Sequence, residues 1–292
     1  MSDQPAFDHC TVLRAETVES LPVVGGGTYL DCTLGGGGHS EYLLSRIPDS
    51  CLWGLDQDPA ALAAAGDRLA RFGDRFTPIR TNFADFDPGA QRFDGILADL
   101  GVSSPQFDTP ERGFSFRHEA PLDMRMDPAA DWTAADLINE SDPEEIARIL
   151  YEYGEERLSR KIAAWVCEHR PLTTTTQLAE ICSRAYPPKA RYGRIHPATR
   201  TFQALRIAVN RELEVLETLL ERAPDWLQPG GCLAIISFHS LEDRLVKHRF
   251  KNDERLRVIT RKPVLPTDAE CEANPRARSA KLRTAERRSE EA

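Results

Sequence analysis

The chain has 292 residues, 41% of them hydrophobic and 28% charged, which suits a packed core under a soluble surface. No apolar run approaches the roughly 20 residues needed to cross a bilayer, and the first residues lack the charged and apolar regions of a secretory leader. Seven cysteines with no C-x-x-C spacing supply neither a disulfide framework nor a zinc site. A reduced, cytoplasmic protein is expected, with no membrane and no metal. Its formal charge of −9 is unevenly spread: residues 244–288 carry 14 Lys/Arg against 6 Asp/Glu, a net +8 that leaves −17 elsewhere. A solvated tail would read the same way, but a basic segment on an acidic body can also bind phosphate locally.

In chain order, His9 to Ser20 reads as a short helix covering a sheet edge, without chemistry of its own. A β-like run, Thr28 to Asp31, then meets four glycines, Gly35 to Gly38, and an amphipathic helix begins near His39. Glycine permits a tight turn with positive φ and lets a ligand approach the backbone. The strand–turn–helix context gives such a loop its meaning. A second strand, Cys51 to Leu55, ends at Asp56, 21 residues beyond Gly35, where a carboxylate can accept both hydroxyls of a ribose. The dinucleotide spacing G-x-G-x-x-G fails, because its third glycine falls on Ser40 or Glu41. The spacing D-x-x-x-G-x-G fits, as Asp31, Gly35 and Gly37, and resembles the first loop of S-adenosylmethionine (SAM)-dependent methyltransferases. Taken alone, the glycines would serve equally as a plain flexible loop.

Asp58 and Pro59 cap an alanine-rich helix to about Phe72, with Pro at the favoured first position. A third strand, Phe76 to Thr81, leads to Asn82 and Phe83, and Phe93 to Leu100 is a fourth. Strands alternating with such helices imply βαβ units and a parallel sheet. Ligands in these sheets bind at the carboxyl ends of the strands, which here carry Gly35 to His39, Asp56, Phe83 and Asp99. Phe83 can pack on adenine, although an isolated aromatic serves a core as readily. Asp99 lies where donor and acceptor would meet.

After Gln106 the pattern changes. Loops mixing cations with aromatics (Thr109 to Arg117, Pro121 to Met126) precede helices at Asp131 to Asn139, Asp142 to Tyr153, Glu155 to His169 and Thr176 to Tyr186. We read 107–196 as a helical insert after the fourth strand, between methyltransferase parts 1–106 and 197–292. Arg112, Arg117, Arg125, Arg191, Arg194 and Arg200 are expected to give it a nucleic-acid-facing surface. Residues 200–226 read as one long helix, with Phe202, Leu205, Val209, Leu213, Leu216 and Leu220 at intervals of three and four. Cys232 to Phe238 is a fifth strand suited to the sheet centre. His239 follows at its carboxyl end, and Arg255 to Arg288 is expected to add two strands and a basic loop.

These separated stretches together resemble the ribosomal RNA small subunit methyltransferase H family (RsmH, also called MraW). The matching segments are His9 to Glu16, Asp31 to Ser40, Leu55 to Pro59, Asp94 to Phe116, Pro121 to Arg125, Tyr153 to Arg157, Arg194 to Leu213, Ser237 to Arg244 and Asn274 to Arg283. The resemblance implies a Rossmann-like class I SAM-dependent methyltransferase fold with an inserted α-helical domain. It also implies N4-methylation of a cytidine in the decoding centre of 16S rRNA within the small ribosomal subunit, with SAM as donor. Carried over by position, the donor site is Gly37, Gly38, His39, Asp56, Phe83, Asp99 and Gln106; Gln106 rests on the family alone. The Pro-Pro-aromatic motif of DNA amino-group methyltransferases is replaced by Asp99-Leu-Gly-Val-Ser-Ser-Pro105, which leaves Asp99 and His239 as catalytic candidates. Asp99, the carbonyls of residues 100–103 or Ser103 would accept the N4 protons, with His239 as a relay. The competing readings are a DNA amino-group methyltransferase, a NAD-dependent dehydrogenase, disfavoured by the missing third glycine, and a non-catalytic RNA-binding protein that keeps a SAM fold. A homodimer is left open.

Overall fold

The computed structural model describes residues 11–191, 193 and 196–289. His9, Cys10 and Arg194, which the sequence placed in a first helix and in the arginine-rich surface, lie outside the described residues. Strand β1 (Thr28–Asp31) pairs in parallel with β2 (Cys51–Asp56) on one side and β4 (Phe93–Asp99) on the other. β3 (Phe76–Arg80) extends the sheet beyond β2, and β5 (Leu227–Ser237) pairs in parallel with β4 through a register shift between Phe93 and Gly95. β7 (Lys281–Arg287) runs antiparallel to β5, and the short edge strand β6 (Leu256–Val258) runs antiparallel to β7. The order is β3-β2-β1-β4-β5-β7-β6. This is the expected α/β, Rossmann-like sheet.

Successive side chains on a strand point to opposite faces, and the sheet uses both. Tyr29, Leu97, Ala234 and Ile236 share a core with α1 (Arg14–Glu19), α2 (Gly38–Arg46) and α3 (Pro59–Leu69), through Val18, Leu43, Leu44, Ala65 and Leu69. Leu30, Ile96, Ala98, Leu233 and Ile235 share the opposite core with α11 (Glu212–Trp226) and α12 (Ser240–Asn252), through Leu216, Leu219, Leu220, Val246 and Phe250. α3 starts as its sequence dictates, with Asp58 accepting from the Ala60 N–H at 2.9 Å and Pro59 at the first position. It stops at Leu69, short of Phe72, and a 3₁₀ turn follows in which Gly73 takes a positive φ of 56°.

By contact density the chain divides into Met1–Gly101 with Glu214–Ala292, which holds the sheet, and Val102–Leu213. The second unit comprises α4 (Ser104–Asp108), α5 (Ala134–Glu140), α6 (Pro143–Gly154), α7 (Ser159–Glu168), α8 (Thr175–Ala185), α9 (Pro188–Arg191) and α10 (Ala198–Val209). Its core joins Ile146, Ile149, Leu150, Ile162, Val166, Leu178, Phe202 and Leu205. This division differs from the expected borders of 107 and 196, because α10 packs its buried face into the helical core. The long helix expected over 200–226 is also two. It breaks at Asn210 and Arg211, where Arg211 has φ 50°. The physical cause is that the apolar stripe serves two cores, Phe202 and Leu205 one and Leu216 and Leu220 the other. Asn210 spends its amide on the carbonyls of Met124 and Arg206 (2.8 Å each) and accepts from the Met126 N–H at 2.7 Å.

The arginine-rich surface is smaller than expected. Arg112 donates to the carbonyls of Arg125 and Met126 at 2.9 Å, and Arg125 forms a two-pronged pair with Asp123 at 2.9 and 2.7 Å. Arg191 and Arg200 reach the carbonyls of Tyr186 and Glu155. Arginine's planar fork suits such backbone-bracing roles. Arg117 remains exposed. No helix among the described residues is long and apolar enough to cross a membrane.

Candidate active site

The site is built where β1, β2 and β4 end. Past the tip of β1 the chain turns through Gly35 (φ 50°) and Gly37 (φ 76°), left-handed conformations that glycine adopts without a Cβ penalty. Gly38 is required for a different reason: a Cβ there would lie 1.9 Å from Thr11 Oγ1. Gly36 faces open space, with nothing within 4 Å of where its Cβ would be.

Asp31 holds this loop from beneath. Its carboxylate accepts from the Thr33 N–H at 3.1 Å and from the Ser40 hydroxyl at 2.6 Å, so one buried side chain ties the turn to the start of α2. Burial pushes the Asp31 carboxyl above the usual range, against the Ser40 hydrogen bond. Asp56 at the tip of β2 accepts from the Gly35 N–H at 2.9 Å and from the Asp58 N–H at 2.9 Å, joining the glycine turn to the second strand end. Burial raises its carboxyl to about 6, opposed by those two amides. Phe83 follows β3, half-buried against the core that contains Leu30 and Leu55, in a turn fixed by Asn82 accepting from the Ala84 N–H at 2.9 Å.

His39 is 4% exposed, and neither ring nitrogen has a hydrogen-bond partner. Its Nε2 lies 3.4 Å from Asp99 Oδ2, outside hydrogen-bonding alignment, and Asp99 Oδ1 is buried and equally unpartnered. Buried polar groups are ordinarily satisfied, so three unpartnered polar atoms at one strand edge are what a ligand site leaves behind. The Asp99 backbone is not loose: its N–H donates to Thr33 Oγ1 at 2.6 Å.

The strand-end residues therefore come together in the sheet unit as Gly37, Gly38, His39, Asp56, Phe83 and Asp99. Gln106 belongs to the helical unit, where it closes a capping box with Ser103 at the start of α4. His239 does follow β5, but as the N-cap of α12. Its Nδ1 accepts from the Glu242 N–H at 3.4 Å, and Glu242 accepts from the N–H groups of Phe238 and His239 at 2.8 and 3.2 Å. The His239 Nε2 lies 3.1 Å from Glu242 Oε1 without hydrogen-bond alignment. Sequence reasoning missed this box and the bracing roles of Thr33 and Ser40. The box was visible in His239-Ser-Leu-Glu242, a capping spacing with histidine in place of the usual hydroxyl residue.

Residues 6–288 of this chain match the MraW methylase family. The chain belongs to that family. It is 61% identical over 287 residues to the ribosomal RNA small subunit methyltransferase H of Synechococcus elongatus, covering 98% of this chain and 97% of that one. Its identity to the enzyme of the same name from a Nostoc species is 58% over 288 residues, covering 99% and 95%. Among solved structures, an rRNA methylase from Streptococcus thermophilus aligns with a TM-score of 0.44 at 12% identity over 94% of each chain. SMU.1697c of Streptococcus mutans, in complex with SAH, aligns with a TM-score of 0.43 at 11% identity, again over 94% of each.

This chain is a SAM-dependent methyltransferase. Its residues fit that donor. Open space beside Gly36 admits a ligand to the backbone, and Asp56, ionised above about pH 6, can accept ribose hydroxyls. Asp99 and His39 offer unpartnered polar atoms beyond the glycine loop.

Proposed function

We propose that this MraW-family chain methylates the exocyclic N4 of a cytidine in the decoding centre of 16S rRNA, with the small ribosomal subunit as substrate and the cytoplasm as its place of work. The relatives' names support rRNA of the small subunit as the target. The observation that carries an amine as the acceptor is Asp99, whose unpartnered Oδ1 ends β4 beside the donor loop.

An exocyclic cytosine amine is a weak nucleophile because its lone pair is delocalised into the ring. When bound, SAM supplies a methyl group already activated by its sulfonium. The protein's part is then to hold and orient. Asp56 would accept the donor's ribose hydroxyls, the glycine loop would admit it, and Phe83 would offer a face to the adenine. Asp99 accepts a hydrogen bond from N4, which localises the lone pair on nitrogen as positive charge develops there, and takes the released proton. Orientation of this kind is worth up to about 7–11 kcal/mol. The base must be unstacked to reach the site, at little cost in loop or single-stranded RNA.

The test is methyl transfer from labelled SAM to small subunits lacking the modification, with naked 16S rRNA and duplex DNA in parallel, and nucleoside identification by mass. N4-methylated cytidine from the subunits supports the reading. Transfer to duplex DNA instead, or to no substrate with SAM binding intact, overturns it.

A further inference from the structure

We infer that the outer face of α12 is a track for the phosphate backbone of the substrate RNA. The inference rests on rRNA being the substrate and adds where on the sheet unit it is gripped.

α12 begins at the carboxyl end of β5, the sheet edge that holds the donor site, and runs away from it. Its inner face carries Val246 and Phe250 into the core. Its outer face presents Arg244, Lys247, His248 and Lys251, all exposed. These residues recur at intervals of three and four and so form one stripe. Seven residues of helix span about 10 Å, enough to meet several phosphates, which recur about every 3.4 Å of axis along one strand of a duplex.

A charged helix face is ordinarily just solvated, and two observations separate this one from that case. First, several exposed arginines elsewhere stand beside acids, as Arg148 does beside Glu145 and Glu152, Arg184 beside Glu180 and Arg257 beside Glu286. Lys247 and Lys251 have no acidic partner among the described residues. Second, the acids of α12 itself are withdrawn from the stripe. Glu242 is buried in the His239 capping box, and Asp243 is held by Lys281 at 3.1 Å and Arg283 at 2.7 Å. Two β-strand cations thus neutralise the helix's second acid, which is itself partly buried.

A protein of net charge −9 repels RNA at long range. Lys247 and Lys251, in one line with Arg244 and leading away from the catalytic edge, give it a local path for the strand. Contacts of this kind fix register and orientation and carry no sequence information.

The test compares wild type with Lys247→Glu/Lys251→Glu for binding to a 16S rRNA transcript containing the decoding region, between 50 and 200 mM salt. SAM binding reports that the variant is folded. Arg46→Glu/Arg71→Glu, on exposed positions of the opposite sheet face, makes the same change in net charge as a control. Loss of two phosphate contacts predicts affinity at least tenfold lower and a log–log salt slope shallower by about 1.4–1.8, with SAM binding unchanged. The control is expected to lose less than threefold. Equal losses in both variants, or none in the α12 variant while wild type binds and methylates the RNA, overturn the track alone. Where wild type binds only assembled small subunits, the same comparison is made on them; wild type that holds SAM but binds neither transcript nor subunits overturns the track together with the substrate reading.

Discussion

Thr33 Oγ1 accepts a 2.6 Å hydrogen bond from the backbone N–H of Asp99, joining the second residue after β1 to the residue that ends β4. The two lie 66 positions apart in the chain. Through this bond, the strand that opens the donor loop also fixes the backbone that carries the acceptor carboxylate. Thr33→Val keeps the side chain's shape and removes the acceptor. An unpaired buried N–H costs about 1–3 kcal/mol, so a fall in stability of that size is expected by denaturant melts. Methyl transfer should drop about tenfold or more while SAM affinity changes little, since Asp56 and the glycines are untouched. Unchanged turnover would show that the Asp99 backbone is held well enough without Thr33.

Asp99→Asn retains the size and an acceptor oxygen but cannot take a proton. A general base contributes typically 10²–10⁴-fold, so single-turnover transfer should fall by at least about 100-fold, with SAM binding near wild type by calorimetry. A variant that transfers at the wild-type rate removes Asp99 as proton acceptor.

Asp56 gives a pH dependence with opposite signs for stability and for binding. Burial raises its folded-state carboxyl from 3.8 to about 6, so between those values the folded chain holds a proton that the unfolded chain has lost. Its contribution to stability is therefore greatest below about pH 4, declines as pH rises and is lost above about pH 6. Donor binding should run the other way, because ionised carboxylates make the stronger hydrogen bonds to hydroxyls. SAM affinity is expected to rise through pH 6 and level off above it, measured by calorimetry from pH 5 to 8. An affinity that is flat across this range would separate Asp56 from the ribose.

His239→Asn keeps a cap acceptor for the start of α12 while deleting the imidazole. With Nδ1 and Glu242 engaged in the capping box, turnover within about threefold of wild type and an unchanged pH–rate profile are expected. A loss of tenfold or more with a displaced acidic limb would instead make His239 the proton relay.

Gly154→Ala tests the helical unit. A Cβ at Gly154 would lie 2.6 Å from the Arg200 carbonyl oxygen and 3.1 Å from the Ala204 Cβ, where α6 and α10 pack backbone to backbone. Overpacking of this kind costs about 1–3 kcal/mol and should appear as a lower thermal midpoint.

The strand-end residues Asp56, Phe83 and Asp99 and the glycine turn were legible in the sequence because βαβ order places strand ends on one edge and glycine spacing is a local steric requirement. The helix start at Asp58 was written in a capping residue two positions from the amide it satisfies, whereas the cap at Thr174 lies before the start read at Thr176. The apolar period of 200–226 was equally visible, but a period cannot report which core each residue enters, so the break at Asn210 was not. Only tertiary structure decided that break, because the polar partners of Asn210 are backbone atoms of residues 124 and 126. It also decided that Arg112 and Arg125 brace loops, that Asp31 and Thr33 hold the site rather than line it, and that Asp243 is neutralised from another strand. Sequence fixes what neighbours along the chain can satisfy; groups brought together from distant positions take their roles only once the chain has folded.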